Sequence, residues 1–325
     1  MTQPSTKRRK TVNLFVDECD HDVVVDAQDL YNQLWQIHPN SKHNPAPKPV
    51  TVRRTNLRSL TKDYVVSEKN DGQRYCLMIG RTLNGDQPYS TAVSGKREMT
   101  QCPLVATNTL AITGKTIDIY NGTLLDGEWI PNDKGGGEFI VFDCVVAGGY
   151  NSRTRNFKER CELAELIVKN IEPVGWTIRV KTFHDIKNIK LLWNNIQQGK
   201  YGKCDGLIFV SKLLPITKST TEGTKKWKPN HMQTIDILYE NGEFKCVSED
   251  GRNIAAPITV SMNTDIPVRS GVVYEVAPGE ANEWVVIKER PDKNVSNHIR
   301  TIRRTIDTLM DNVTILDIYN SIVKT

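Results

Sequence analysis

Apolar residues recur with different periods along the chain, and the changes of period mark its elements. Leu30, Leu34 and Ile37 stand at helical spacing, and the stretch that follows, HPNSKHNPAPKPV, has prolines at 39, 45, 47 and 49 and reads as an extended connector. From residue 64 the text turns to short β-rich runs: YVVSEK (64–69), RYCLMIG (74–80), TLLDGEWI (123–130) and EFIVFDCVV (138–146), the last two separated by glycines 135–137. Two helical patterns interrupt them. FKERCELAELIVKNI (157–171) puts Cys161, Ala164 and Val168 on one stripe, and DIKNIKLLWNNIQQG (185–199) does so with Ile186, Ile189, Trp193 and Ile196 before a terminal glycine. Strands resume at 204–210 and 224–228. The pattern predicts an α+β domain with antiparallel sheets.

After Pro229 the elements become shorter. TIDILY, EFKCVS, GVVYEVA and EWVVIKE, separated by NG, EDG and PGE turns over 234–289, suit a small β-barrel of the OB type, a common nucleic-acid-binding scaffold. A closing amphipathic helix carries Ile299, Ile302, Ile306 and Leu309 on one face, with Arg300, Arg303 and Arg304 off it. The predicted organisation is a tail, helical segment and proline-rich connector over 1–48, an α+β domain over 49–232, an OB domain over 233–298 and a helical segment over 299–325.

A length of 325 residues holds two domains, and 38% hydrophobic with 25% charged residues is ordinary for a soluble chain. No apolar run is long enough to cross a bilayer and MTQPSTKRRK is no signal peptide, so no membrane partner and an intracellular location are expected. Cysteines 19, 76, 102, 144, 161, 204 and 246 are scattered singly. They fit reduced thiols and argue against a disulfide frame or a structural zinc site. The net charge of +5 points only weakly to a polyanionic partner, and the run Lys7–Lys10 reads as a solvated terminus, with a nuclear-import or RNA-contacting tail as the alternative.

The most informative string is EKNDGQR (68–74), a K-x-D-G-x-R pattern of Lys69, Asp71, Gly72 and Arg74. A lysine at a strand end can be held rigidly, and a tight Asp-Gly turn returns Arg74 beside it, within reach of a ribose or phosphate oxygen. DGE (126–128), VFD (141–143), DGLIF (205–209), KKWKP (225–229) and ERPDKNVSN (289–297) follow in order. Lys226 and Lys228, two apart on a strand, share a face and suit a triphosphate. Glu128 and Asp205 are strand-end carboxylates suited to a ribose hydroxyl or a divalent metal, and Phe142 can stack on a purine.

As an ordered set these strings resemble the covalent nucleotidyltransferases, the superfamily of mRNA capping enzymes and polynucleotide ligases. They are most similar to the guanylyltransferases, and within them to the compact enzymes of large DNA viruses. The resemblance runs from about Pro49 to the C-terminus. Arg290, Asp292, Lys293 and Asn297 match the capping pattern R-x-D-K with a following Asn, while Ser296 replaces the family's usual proline and Asn230 stands where related enzymes often have glycine.

The resemblance implies an ATP-grasp-like two-domain nucleotidyltransferase with an OB domain. Lys69 would attack the α-phosphate of GTP, forming lysine-bound GMP and pyrophosphate, and the GMP would pass to a 5′-diphosphate RNA end. Arg74 and Glu128 would hold the ribose, Phe142 and Ile208 would sandwich the guanine, and Lys181 (in IRVKTF) would reach its exocyclic oxygen. Arg97, in GKREM, would contact phosphate, and Lys226 and Lys228 would bind near the α-phosphate. Asp205 would order those lysines and, with Glu128, a magnesium or manganese ion. OB-domain closure would bring Arg290, Asp292 and Lys293 to the departing pyrophosphate. Neither a phosphatase signature nor a methyltransferase loop is present in the sequence, so a separate RNA triphosphatase, a cap methyltransferase or the transcription machinery would be partners, in a nucleus or a viral factory. An ATP-dependent ligase and a non-catalytic OB-fold RNA-binding subunit remain as alternatives.

Overall fold

YVVSEKN and QRYCLMIGR form the strands expected on either side of Asp71-Gly72, Tyr64–Asn70 (the Lys69 strand) and Gln73–Arg81 (the Arg74 strand). The computed structural model describes residues 21–41, 44–83, 87–112, 114–133, 135–218, 220–262 and 266–323, so the basic run Lys7–Lys10 lies outside the described residues. The chain divides into two units. The first takes Met1–Val50, Lys62–Cys204 and Ile208–Lys225, and the second Thr51–Thr61, Asp205–Leu207 and Lys226–Thr325.

In the first unit the Arg74 strand sits inside a seven-stranded sheet. The order is Tyr150–Asn151, Gly137–Ala147 (the Phe142 strand), Thr123–Pro131 (the Glu128 strand), the Arg74 strand, Pro88–Ser94 and Met99–Gln101; Thr177–Val180 pairs in parallel with the Phe142 strand. Strand alternation sends Leu77, Ile79, Leu125, Phe139 and Val141 to one face and Cys76, Met78, Leu124 and Val145 to the other. Both faces are covered, which is why these strands read as nearly continuous apolar runs.

Helix α1 (His21–Trp35) covers the second face with Ala27, Tyr31 and Trp35, one turn apart and all fully buried. Leu30 and Leu34 flank that stripe, and Ile37 lies beyond the helix end. Each large ring removes on the order of 200 Å² from water, about 5 kcal/mol before the entropy of ordering. Helix α2 (Phe157–Val168) covers the first face through Leu163, Ala164 and Ile167. Its expected stripe is therefore offset: Ala164 is buried, but Cys161 and Val168 are only half-buried, because Arg160 turns inward onto Asp143.

The Lys69 strand belongs to a five-stranded sheet ordered Lys48–Thr51, Thr220–Trp227, Cys204–Ser211, Lys69 strand and His184–Asp185. Helix α3 (Ile189–Gln197) packs on the Lys69 strand. It buries Ile189, Leu192 and Ile196, with Trp193 half-buried at the edge of the stripe, and Gly199 at φ 75° ends it as expected.

The second unit holds an OB-like six-stranded sheet, ordered Asn253–Ala255, Glu243–Val247, Ile235–Glu240, Val272–Pro278, Trp284–Glu289 and Val260–Ser261. Ile235, Ile237, Tyr274, Val276, Trp284 and Val286 form its core together with Ile299 and Ile302 of helix α4 (Ile299–Asp311). The closing segment is two helices. Asn312 turns the chain left-handed at φ 42°, and helix α5 (Ile315–Val323) restarts on a reciprocal cap between Thr314 and Asp317. Trp227 Nε1 donates to Val313 O at 2.7 Å, and Asn230 Nδ2 donates to Leu309 O and Asn312 Oδ1, both at 3.0 Å. The turn after KKWKP is thus held by Asn230 side-chain bonds that a glycine there could not make.

Candidate active site

Lys69, Arg74, Glu128, Phe142, Lys181 and Ile208 line one pocket of about 200 Å³ in the first unit. Ser67 and Lys69 reach it from alternate positions of the same strand. The chain then turns through Asp71-Gly72. Asp71 N donates to Lys203 O at 3.1 Å, and Gly72 N donates to Glu128 Oε1, also at 3.1 Å. Gly72 does not carry a positive φ. A Cβ there would stand 2.4 Å from Trp129 O and 2.5 Å from Ile130 Cδ1, so close approach to the Glu128 strand dictates the glycine.

Arg74 and Glu128 are direct partners in the antiparallel pairing of their strands, which brings the two expected ribose ligands side by side. Phe142 owes its orientation to an irregularity. Val141 pairs with Gly127 and Asp143 with Asp126, which leaves Phe142 as an extra residue in a β-bulge. It is half-buried, faces the pocket, and lies with its ring centroid 5.3 Å from the Arg74 guanidinium carbon.

The charges of the pocket are held in place by partners that residue-by-residue reading missed. Asp126 forks the Arg74 guanidinium, with Nε donating to Oδ1 at 2.9 Å, and Arg74 also donates to Pro47 O. Burial opposes the Arg74 charge, but the carboxylate more than offsets it and raises the pKa above the usual arginine range. Asp143 is gripped by Arg160 through bonds of 2.8 and 3.1 Å; burial still raises its pKa above the usual carboxylate value. Lys181 is almost wholly buried. Its Nζ donates to Asn70 Oδ1 at 2.6 Å and lies 3.5 Å from Glu68 Oε1. Burial lowers the Lys181 pKa, opposed first by Glu68 and then by Glu128 and Cys204. Asp126 was visible inside DGE and Glu68 beside the lysine, but adjacency alone gives neither a partner.

Arg97 is not among the pocket residues. At φ 66° it directs its guanidinium to Ser41 O and Asn32 Oδ1, with its guanidinium carbon 5.7 Å from the centroid of the Tyr31 ring, joining its turn to the N-terminal segment.

In the second unit Asp205 is ion-paired with Lys228. Arg290 and Lys293 both bind the carboxylate of Asp236, which is 8% exposed, and Arg290 Nε and Nη2 also hold Asp292 at 2.9 and 2.8 Å. Asn297 completes the group: Asp236 N donates to its Oδ1 at 2.9 Å, and its own N donates to Asp236 O at 2.7 Å. The R-x-D-K…N spacing is therefore the footprint of a network centred on Asp236, a residue that TIDILY conceals as one polar position in a strand.

Among the described residues no three His, Cys, Asp or Glu side chains converge as a metal cage. Glu128 in the first unit and Asp205 in the second each offer carboxylate oxygens, the donor type that a magnesium or manganese ion takes. No helix among the described residues is long and apolar enough to cross a membrane.

Residues 13–230 match the family model described as mRNA capping enzyme, catalytic domain. The mRNA-capping enzyme subunit alpha of Schizosaccharomyces pombe is 26% identical over 313 residues, covering 83% of this chain and 77% of that protein. The mRNA-capping enzyme of Mus musculus is 25% identical, with 83% of this chain and 48% of the mouse protein covered. That of African swine fever virus is 26% identical over 185 residues, with coverages of 54% and 18%. The chain thus spans about three quarters of the fission yeast protein but half or less of the other two. Among solved structures, a mycobacterial DNA ligase D complexed with ATP and MES aligns with a TM-score of 0.43 and 13% identity over 77% of this chain and 96% of that one. The chain belongs to the mRNA capping enzyme family and carries its catalytic domain. Its class is that of the capping guanylyltransferases, whose substrates are GTP and RNA.

Proposed function

We propose that this chain transfers GMP from GTP to RNA through a covalent bond to Lys69. The observation that carries the reading is the gathering of Lys69 with a purine-sized set of side chains in one pocket: Arg74, Glu128, Phe142, Lys181 and Ile208. In the first step the neutral Lys69 amine attacks the α-phosphorus of GTP. A P–N bond forms, the α–β P–O bond breaks, and pyrophosphate leaves with the electron pair. Phe142 and Ile208 sandwich the base, Lys181 donates to its exocyclic oxygen, and Arg74 with Glu128 holds the ribose.

Lys226 and Lys228 neutralise the phosphate region, with Lys228 oriented by Asp205. Glu128 and Asp205 would hold a magnesium or manganese ion, which offsets phosphate charge. Arg290 and Lys293 act on the leaving pyrophosphate, for which they exchange the carboxylate of Asp236. Arg97 reaches phosphate only by giving up Ser41 and Asn32, so its part is the least direct.

In the second step a β-phosphate oxygen of 5′-diphosphate RNA attacks the lysine-bound GMP. The P–N bond breaks with its electron pair on the Lys69 nitrogen, which regains the proton lost when that bond formed, and a 5′–5′ triphosphate bridge forms. A separate RNA triphosphatase would supply the diphosphate end and a methyltransferase would act on the product, in a nucleus or a viral factory.

The test is incubation with α-labelled GTP or ATP and a divalent cation, followed by denaturing electrophoresis. Label from GTP alone is expected. Label from ATP alone makes the chain a ligase, no label a binding module, and label retained by Lys69→Ala removes the assigned nucleophile.

A further inference from the structure

The strand that carries the nucleophile also grips the lysine assigned to the base. Ser67 and Lys69 line the pocket, while the residues between and beyond them, Glu68 and Asn70, are 2% and 4% exposed and both reach Lys181 Nζ. We propose that Glu68 is a positioning residue for purine selection, fixing Lys181 as a charged, donor-only reader of the six-position. This rests on the reading above that Lys181 meets the exocyclic oxygen of guanine.

The argument is one of donors and acceptors. An ammonium has three N–H donors and no acceptor. Asn70 Oδ1 takes one at 2.6 Å and Glu68 Oε1 faces another, which leaves a donor for the pocket. A 6-oxo purine accepts from it. A 6-amino purine sets donor against donor and leaves both groups buried and unpaired, the arrangement that gives sites their strongest discrimination. A neutral amine would carry a lone pair and accept from the 6-amino group, so the lysine's charge decides which purine it selects. Burial works against that charge. Two carboxylates support it: Glu68 from the Lys69 strand and Glu128 from the seven-stranded sheet. Glu68 comes first among them.

A second observation separates this from a merely structural ion pair. Glu68 Oε2 is buried without a hydrogen-bond partner among the described residues. A buried carboxylate that leaves one oxygen unsatisfied stabilises a fold poorly, and apolar residues of the same volume would serve packing better.

The test measures formation of the covalent lysine–nucleotide by the full chain with four labelled triphosphates. GTP and inosine triphosphate carry the 6-oxo group, and ATP and 2,6-diaminopurine riboside triphosphate the 6-amino group. For Glu68→Gln the KM for both 6-oxo substrates should rise about tenfold while the maximal rate falls less than about threefold. The preference for GTP over the diaminopurine substrate should fall about tenfold or more. Lys181→Met should lose the preference, and Glu68→Gln/Lys181→Met should lose no more than Lys181→Met alone. That double variant lacks the buried charge pair altogether, so it stays informative where Glu68→Gln folds poorly; an additive further loss in it overturns the proposal. A Glu68→Gln protein that keeps the wild-type preference, while Lys181→Met loses it, overturns the role of Glu68 and leaves the pocket reading intact. A Lys181→Met protein that keeps the preference removes the base-reading lysine and this inference with it.

Discussion

Arg74 is held by Asp126 through a two-point fork in which the carboxylate is 3% exposed. The fork fixes one wall of the pocket before any nucleotide arrives, and it joins a buried carboxylate to a half-buried guanidinium. Asp126→Ala should lower the unfolding free energy by about 1–2 kcal/mol, since the guanidinium left behind keeps part of its surface in water. Urea unfolding checks the stability, and GTP labelling should fall with it.

Gly72→Ala tests the close approach of the turn to the Glu128 strand. The added methyl would collide with Trp129 O, which the sheet holds in place, and with the Ile130 side chain, so the turn must move away. The expected loss is about 1–3 kcal/mol of stability and at least about tenfold in labelling rate. A variant with unaltered labelling would mean that the turn has slack the geometry does not show.

Phe142 is a bulge residue with little packing duty, so Phe142→Ala should separate binding from folding. The KM for GTP should rise by the worth of one base–aromatic stack, about 1–3 kcal/mol. Stability should change by less than about 1 kcal/mol. Thermal unfolding beside labelling kinetics measures both.

Acid stability should depend on the carboxylates of the second unit. Arg290 holds the Asp292 pKa below the usual range, and Arg252 with Ser248 brings Asp250 down to about 2. Groups with depressed folded values contribute stability above their unfolded pKa, about 4, and lose it as pH falls toward the folded value. Unfolding midpoints should therefore drop between about pH 4 and about pH 2. Asp292→Asn should show a shallower drop over the same interval.

The strand periods placed most sheet elements, because alternating burial is written directly into runs such as QRYCLMIGR. The helical stripes were less legible. Arg160 is polar and buried because Asp143 waits for it, and a hydrophobic pattern cannot register a residue whose burial depends on a partner seventeen positions away. The site divides in the same way. Lys69, Arg74, Glu128 and Phe142 were readable from motif spacing, whereas Glu68, Asp126 and Asp236 grip other residues of the candidate site. Their roles appear only when strands are paired. The break at Asn312 was hidden because Thr314 and Asp317 restart the helix before the apolar period is lost.

Tyr31, Trp35 and the Arg97 bonds to Asn32 and Ser41 make the first helix part of the catalytic unit's interior. A chain begun at Lys48, where the motif-bearing strands start, would keep every residue assigned to chemistry. It would also bare Met78, Val93, Leu124 and Val145 to water, a sticky apolar floor with nothing to shield it. Such a trimmed protein should precipitate rather than merely slow down, and adding the missing peptide back in trans is the natural way to rescue it.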